Sequence, residues 1–197
     1  MAEEAKSGFI HDMEDIAAAG GGCFSAGSKE EDYPYAVKSE ESTQRKVENR
    51  VEMRKVQTLI TDDLSFPSYV ENMGDMLRGT IVVNDYDQMV VAVQKLGEKA
   101  REKVWSVGIE NKFAGEPKGG YVGLHFNIGY PTNYGMISTE MQIHTKRNLE
   151  VKERDHKIYE IKRTTDGSTS EGKEMIQQLT NAATIFYCAS MTADLNS

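Results

Sequence analysis

At 197 residues the chain fits a single domain and can bury a sizeable core, which excludes a disulfide-stapled miniprotein and disfavours a two-domain enzyme. Hydrophobic residues at 39% and charged residues at 27% are globular proportions, and no apolar run approaches the roughly 20 residues of a membrane-spanning helix. With 23 Lys+Arg against 31 Asp+Glu the net charge is -8, which argues against broad nucleic-acid binding and leaves room for a local basic cleft around a small anion.

Residues 1–33 hold eight acids against Lys6 and Lys29, so most of the net charge sits there. The opening segment, Met1 to Lys6, has neither the basic stretch nor the apolar core of a signal peptide, so any export is expected by another route or through a further part of a longer chain. Gly20, Gly21 and Gly22 each cost about 1 kcal/mol relative to alanine inside a helix, which predicts a short helix before them and a loop after. That first helix reads as an entry segment, as linker, or as packed on the core. Cys23 and Cys188 have no C-x-x-C partner and read as free thiols in a reducing compartment.

Ser39 to Lys55 holds strong helix formers and no Gly or Pro, with Glu40 and Glu41 suited to its positive end. Residues 75 to 84 read as a strand ending at a turn. Asp85 to Arg101 reads as a helix, because Met89, Ala92, Val93 and Leu96 recur at three and four residues. A second strand is predicted over Val104 to Ile109. In Tyr121 to Ile128, Val122, Leu124, Phe126 and Ile128 alternate with Tyr121, Gly123, His125 and Asn127, the period of a strand with one face on a core. Met141 and Ile143 alternate with Glu140, Gln142 and His144 in the same way. The turn-rich Gly129 to Gly135 between them predicts a hairpin whose polar face gathers Tyr121, His125, Glu140 and Gln142. A helix follows over 148–163, then a loop. A last helix opens at Ser170 and runs to about Met191, with a core stripe of Met175, Leu179, Ala182, Ala183, Phe186 and Tyr187. The fold class is α+β, a mixed central sheet flanked by helices.

Two constellations have chemical meaning. Lys38, Ser42, Lys46, Arg50 and Arg54 are spaced by four, so each step turns the helical face by only about 40° and the first of them share a stripe that suits a polyphosphate. The plainer reading is a solvated face, since Glu40, Glu41, Glu48 and Glu52 are neighbours. Asp75 and Glu140 are hard oxygen donors of the kind that hold Mg²⁺ together with substrate phosphates; for either alone the plainer reading is a surface acid or a helix cap. Tyr121 suits stacking on a flat base, and His125 reads equally as a sheet histidine. The phosphate-loop pattern and the dinucleotide glycine fingerprint are both absent.

Four segments, in order, resemble the synthetase domain of the RelA/SpoT alarmone synthetases. Lys38-Ser-Glu-Glu-Ser42-Thr-Gln-Arg-Lys46 is similar to that family's ATP-binding helix, and Asp75-Met-Leu-Arg-Gly-Thr-Ile-Val-Val to its metal-binding strand. Asn111 to His125 is similar to its K-x-N-G-Y-x-S-x-H segment, and Glu140-Met-Gln142-Ile-His-Thr145 to E-I-Q-I-R-T. Three positions depart from the pattern. Ala36 and Thr80 stand where the family has arginines that sandwich the donor adenine, and His144 stands for the arginine of the last motif. Arg78 or Arg50 is the expected substitute. Together with Lys152 to Glu160, these features look closer to the toxin branch, the type VI secretion effectors that make (p)ppApp from adenosine nucleotides.

The resemblance implies a RelA/SpoT-type domain over 1–197, with an acidic segment at 1–33 and a catalytic core over 34–197. The implied reaction transfers the β,γ-pyrophosphate of ATP to the 3′-hydroxyl of an adenosine nucleotide. Lys38, Ser42, Lys46, Arg50 and Arg78 would bind ATP, and Asp75 and Glu140 would hold Mg²⁺, with Glu140 also the base. Tyr121, His125, Lys112 and Gln142 would bind the acceptor. A secreted effector acting in the cytoplasm of a target cell, blocked by a cognate immunity protein, completes the expectation. Alternatives are synthesis of (p)ppGpp from GDP or GTP, pyrophosphorylation of a tRNA 3′ end, and a degenerate nucleotide-binding module without activity.

Overall fold

The computed structural model describes residues 1–27, 32–57, 74–114 and 121–195, with side chains undescribed at 49–57 and 163. Its elements are α1 (Ala2–Ala19), β1 (Cys23–Ser25), α2 (Glu40–Gln57), β2 (Leu77–Val83), α3 (Tyr86–Glu102), β3 (Ser106–Asn111), β4 (Leu124–Thr132), β5 (Gly135–Thr145), α4 (Lys146–Thr164) and α5 (Ser170–Leu195). The strands form one sheet in the order β1-β2-β5-β4-β3, and only the β2–β5 pair is parallel. This is the expected mixed sheet.

Side-chain alternation gives the sheet two unlike faces. Leu77, Ile81 and Val83 of β2, Met141 and Ile143 of β5, and Phe126 and Ile128 of β4 are buried on one face with Phe9, Met13 and Ile16 of α1 and Met89, Ala92 and Leu96 of α3. The first helix is therefore part of the core. Asp85 caps α3 by accepting a hydrogen bond from the Gln88 amide at 2.8 Å, which satisfies one of the unpaired N–H groups at the helix start.

Beneath α1 lies a buried ion cluster. Asp12, fully buried, accepts hydrogen bonds from Lys99 Nζ at 2.8 Å, Lys103 Nζ and Tyr130 Oη at 2.8 Å, and Lys99 also reaches Asp15. Burial alone would raise the Asp12 pKa, but the hydrogen bonds from Lys103, Lys99 and Tyr130 outweigh it and lower the value. The cluster links α1, α3 and β4.

Three local expectations differ from the structure. β1 follows the triple glycine where a loop was predicted; its Phe24 lies across Gly79, where an added Cβ would meet the ring at 2.1 Å. The hairpin turn is only Asn133-Tyr134, because Gly129 to Thr132 continue the ladder. On α5 the buried positions are Gly172, Ala183, Tyr187, Ser190 and Asp194, so Ala183 and Tyr187 of the expected stripe are buried whereas Met175 and Phe186 are exposed. Polar partners explain this last difference: Ser190 donates to Asn148 Oδ1 at 2.6 Å, and Asp194 accepts from Thr145 Oγ1 and from Arg147.

Replacing Asp12 with alanine leaves Lys99 and Lys103 without their shared carboxylate and should cost about 3–5 kcal/mol, read from denaturant unfolding. Because folding depresses the Asp12 pKa, its contribution is present above the unfolded value of about 3.8 and is lost as pH falls below it. The destabilisation caused by Asp12→Ala should therefore shrink at low pH.

Candidate active site

The opposite face of the sheet is polar. Segment 35–38 runs beside the start of β2: Val37 bridges Leu77, the Arg78 amide donates to Ala36 O at 2.8 Å, and the Lys38 amide donates to Met76 O at 3.0 Å. Lys38 thereby stands at the β2 end while Ser39 opens α2, its Oγ accepting from the Ser42 amide at 3.2 Å. Two turns along α2, Lys46 faces the same point. Lys38 Nζ lies 2.6 Å from Asp75 Oδ2 and Lys46 Nζ 2.7 Å from Asp75 Oδ1, one lysine on each carboxylate oxygen. Burial would raise the Asp75 pKa, but the two ammonium groups outweigh it and hold the carboxyl below its ordinary range. Ser42 sits between the lysines on α2, partly exposed. Arg50 lies two turns after Ser42, its side chain outside the described residues.

The strand register brings the second set together. Arg78 of β2 is paired with Glu140 of β5, Glu140 with Asn127 of β4, and Gln142 with His125. Gln142 Nε2 donates to Glu140 Oε1 at 2.6 Å. Tyr121 Oη lies 2.6 Å from His125 Nε2, 2.9 Å from His144 Nε2 and 3.3 Å from Gln142 Oε1. The phenol has one proton, so it cannot donate to both histidines. The arrangement that serves most groups has Tyr121 donating to His125 at the shorter contact while His144 Nε2–H donates toward Tyr121 and Gln142. His144 Nδ1 is then a buried acceptor with no partner.

The Tyr121 ring makes edge-to-face contacts with His125, His144 and Tyr187 at centroid distances of 5.2, 5.6 and 5.8 Å. Burial pushes its phenol pKa up. Burial also lowers both histidines, with Glu140 partly offsetting the effect at His125, and brings His144 to about 3. His144 is thus a neutral structural group at physiological pH and supplies no positive charge. Lys112, at the end of β3, pairs with Glu110 and donates its amide to Gly123 O at 2.9 Å, so it borders the same cluster.

Between the sheet face and α4 lies a cleft of about 670 Å³, walled by Tyr35, Arg78, Thr80, Glu140, Gln142 and Lys152 among others. Arg78 holds the cleft edge through Nε, which donates to Tyr35 O at 3.3 Å. The structure therefore gathers Lys38, Lys46 and Asp75 at one end of β2, and Arg78, Glu140, Gln142, Tyr121 and His125 across its neighbours. Sequence reasoning placed Lys152 in the stretch that looks closer to the toxin branch but assigned it no site role, and it missed the exposed Tyr35. The signal for α4 was the spacing of Leu149, Lys152, Glu153, His156 and Lys157, all on the cleft wall at helical intervals.

No family model matches the chain, and no curated protein matches it significantly. Solved structures do match. Small alarmone synthetase 1 from Bacillus subtilis, bound to its product pppGpp, superposes with a TM-score of 0.56 at 19% identity over 81% of this chain and 71% of that one. The same protein bound to AMPCPP gives 0.53 at 15% identity, covering 98% of this chain and 91% of its own. A GTP pyrophosphokinase family protein from Streptococcus pneumoniae gives 0.51 at 16% identity, over 77% and 68%. The fold is that of the small alarmone synthetases. Of the four sequence segments that carried the resemblance, three lie on or lead into α2, β2 and β5, and Asn111 to His125 joins the end of β3 to the start of β4, with residues 115–120 outside the described residues.

One glycine tests this arrangement. A Cβ on Gly123 would lie 2.5 Å from His144 Cε1 and 3.0 Å from Nδ1, so Gly123→Ala must displace the buried imidazole. The expected cost is about 1–3 kcal/mol by denaturant unfolding, with loss of the Tyr121 contacts. An unchanged midpoint would mean that the ring is not seated against Gly123.

Proposed function

We propose that the protein is an ATP:nucleotide 3′-pyrophosphokinase. The observation that carries this reading is the sharing of Asp75 by Lys38 and Lys46 at the end of β2, next to a cleft walled by Arg78 and Glu140. Two ammonium groups on one carboxylate leave a net positive charge poised for phosphate, held in place before any substrate arrives, which is how fixed charge stabilises a transferring phosphoryl group. The fold neighbours, described as a pyrophosphokinase family protein and as synthetases seen with pppGpp and AMPCPP, support the same reaction class.

In this mechanism Lys38 and Lys46, oriented by Asp75, present their remaining N–H groups to the donor phosphates, with Ser42 and Arg50 on α2 and Arg78 at the cleft edge. Tyr121, His125, Lys112 and Gln142 orient the acceptor. Glu140 takes the proton of the 3′-hydroxyl as the oxygen attacks the β-phosphorus of ATP. A new O–P bond forms, the bond from the β-phosphorus to the oxygen bridging to the α-phosphate breaks, and its electron pair leaves with AMP. Asp75 and Glu140 offer the hard oxygens that suit Mg²⁺. Among the described residues no group of three His, Cys, Asp or Glu could hold an ion, so nucleotide phosphates and water would complete its shell. The chemistry that a bound Mg²⁺ supplies there is neutralisation of phosphate charge.

For the acceptor, the resemblance to the toxin branch favours an adenosine nucleotide, giving (p)ppApp. It also favours an effector delivered into the cytoplasm of a target cell and neutralised by an immunity protein. Incubation with ATP, Mg²⁺ and ADP, GDP or tRNA in separate reactions decides among the acceptors; transfer to ADP is expected. Synthesis inside a cell should be lethal unless the immunity protein is made with it, and survival without it would remove the toxin role.

Glu140→Gln keeps the size and hydrogen-bonding capacity of the side chain but removes the proton acceptor and the metal-binding charge. Transfer should fall by roughly 10² to 10⁴-fold with little change in melting temperature. Near-normal transfer would exclude Glu140 as the base. Lys46→Ala should likewise lower turnover in a folded protein; unchanged turnover would return the α2 stripe to a solvated face.

A further inference from the structure

The cleft holds a cation that the mechanism above does not use. Lys152, on α4, is partly buried against the sheet, and its Nζ donates to Gln142 Oε1 at 2.5 Å. Among the described residues no carboxylate lies within ion-pair distance of it, whereas Lys38, Lys46, Lys99 and Lys112 each have an acidic partner. Glu140 and Glu153 are close enough to favour its charged form, yet burial outweighs them and lowers its pKa. A lysine pulled out of water onto a neutral amide is costly to the fold. A ligand anion would offset that cost.

We propose that Lys152 is a nucleotide-phosphate-binding residue, aimed into the cleft where the donor and acceptor nucleotides meet. This deepens the pyrophosphokinase reading and rests on it for the identity of the ligand. Three features fix the chemistry. His144 is neutral and enclosed, so Lys152 is the cation beside Gln142. Gln142 is itself held by Glu140, so the lysine is positioned by the residue assigned to proton transfer without being paired to it. Lys157 lies further along α4 on the same cleft wall and Arg78 on the sheet side, so a phosphate entering here meets a cation on each wall, set among the acids Glu140 and Glu153. An ammonium group is a compact point charge, suited to a phosphate oxygen.

The test is calorimetric binding to wild type, Lys152→Met and Lys152→Arg, with AMPCPP as donor probe, ADP and GDP as acceptor probes, and adenosine as the phosphate-free control. In Lys152→Met the Kd for AMPCPP, or for ADP and GDP, should rise about 10-fold or more. Adenosine should bind as in wild type, Lys152→Arg should recover most of the affinity, and the melting temperature should hold or rise. Which probe weakens identifies the nucleotide whose phosphate Lys152 holds. Unchanged affinity for every phosphorylated probe, no binding of any by wild type, equal weakening of adenosine, or a lowered melting temperature in Lys152→Met would each overturn the proposal. Pyrophosphate transfer measured on the same wild-type preparation separates the two readings. Absence of transfer with Lys152-dependent phosphate binding removes the enzyme assignment alone; transfer with Lys152-independent binding removes this proposal alone.

Discussion

The parallel pairing of β2 with β5 is the contact on which the rest depends. It joins residues 77–83 to 139–145 in seven consecutive pairs, and every candidate catalytic group is placed relative to it. On one face it sets Leu77, Ile81 and Val83 beside Met141 and Ile143, the centre of the core. On the other it sets Arg78 beside Glu140 and Thr80 beside Gln142. Because side chains alternate with a period of two, a slip of one residue would put Glu140 into the core and Met141 into the cleft. The apolar face therefore enforces the polar one, and burial free energy specifies the position of a carboxylate.

A second constraint follows at the C-terminal end of β5, where Ile143, His144 and Thr145 are all fully buried. Here the sheet is covered on both faces, by the core on one side and by α4 and α5 on the other. A polar residue survives such burial only with partners. Thr145 caps α4 through the Asn148 amide and also donates to Asp194; His144 uses Tyr121 and Gln142. The cluster around Tyr121 is thus both the floor of the candidate acceptor site and the joint between the sheet and the last two helices.

Much of this was legible in the sequence because β4 and β5 alternate cleanly and α3 repeats Met89, Ala92 and Leu96 at helical spacing. The grouping of Tyr121, His125, Glu140 and Gln142 followed from that alternation plus a hairpin. The ion triad did not follow from periodicity: Asp75 meets Lys38 and Lys46 only through the pairing of segment 35–38 with the start of β2. β1 is three residues long and is stabilised by a contact between Phe24 and Gly79 that no local pattern announces. The α5 stripe was misread because two of its buried positions, Ser190 and Asp194, are polar and are satisfied by α4 and its cap. Lys152 was given no site role, since its significance is a missing partner rather than a motif.

The cluster around Asp12 has a consequence for synthesis of the chain. Asp12 belongs to the first helix, yet its partners Lys99, Lys103 and Tyr130 are 87, 91 and 118 residues later. A ribosome adding roughly 5–20 residues per second reaches Tyr130 several seconds after Asp12. Until β4 and β5 are made the sheet over Phe9, Met13 and Ile16 is incomplete, and the carboxylate has no counter-charge from α3 until Lys99 and Lys103 have been added. The buried charge of α1 is therefore balanced only by residues added long after it, so local sequence cannot offset the cost of that carboxylate.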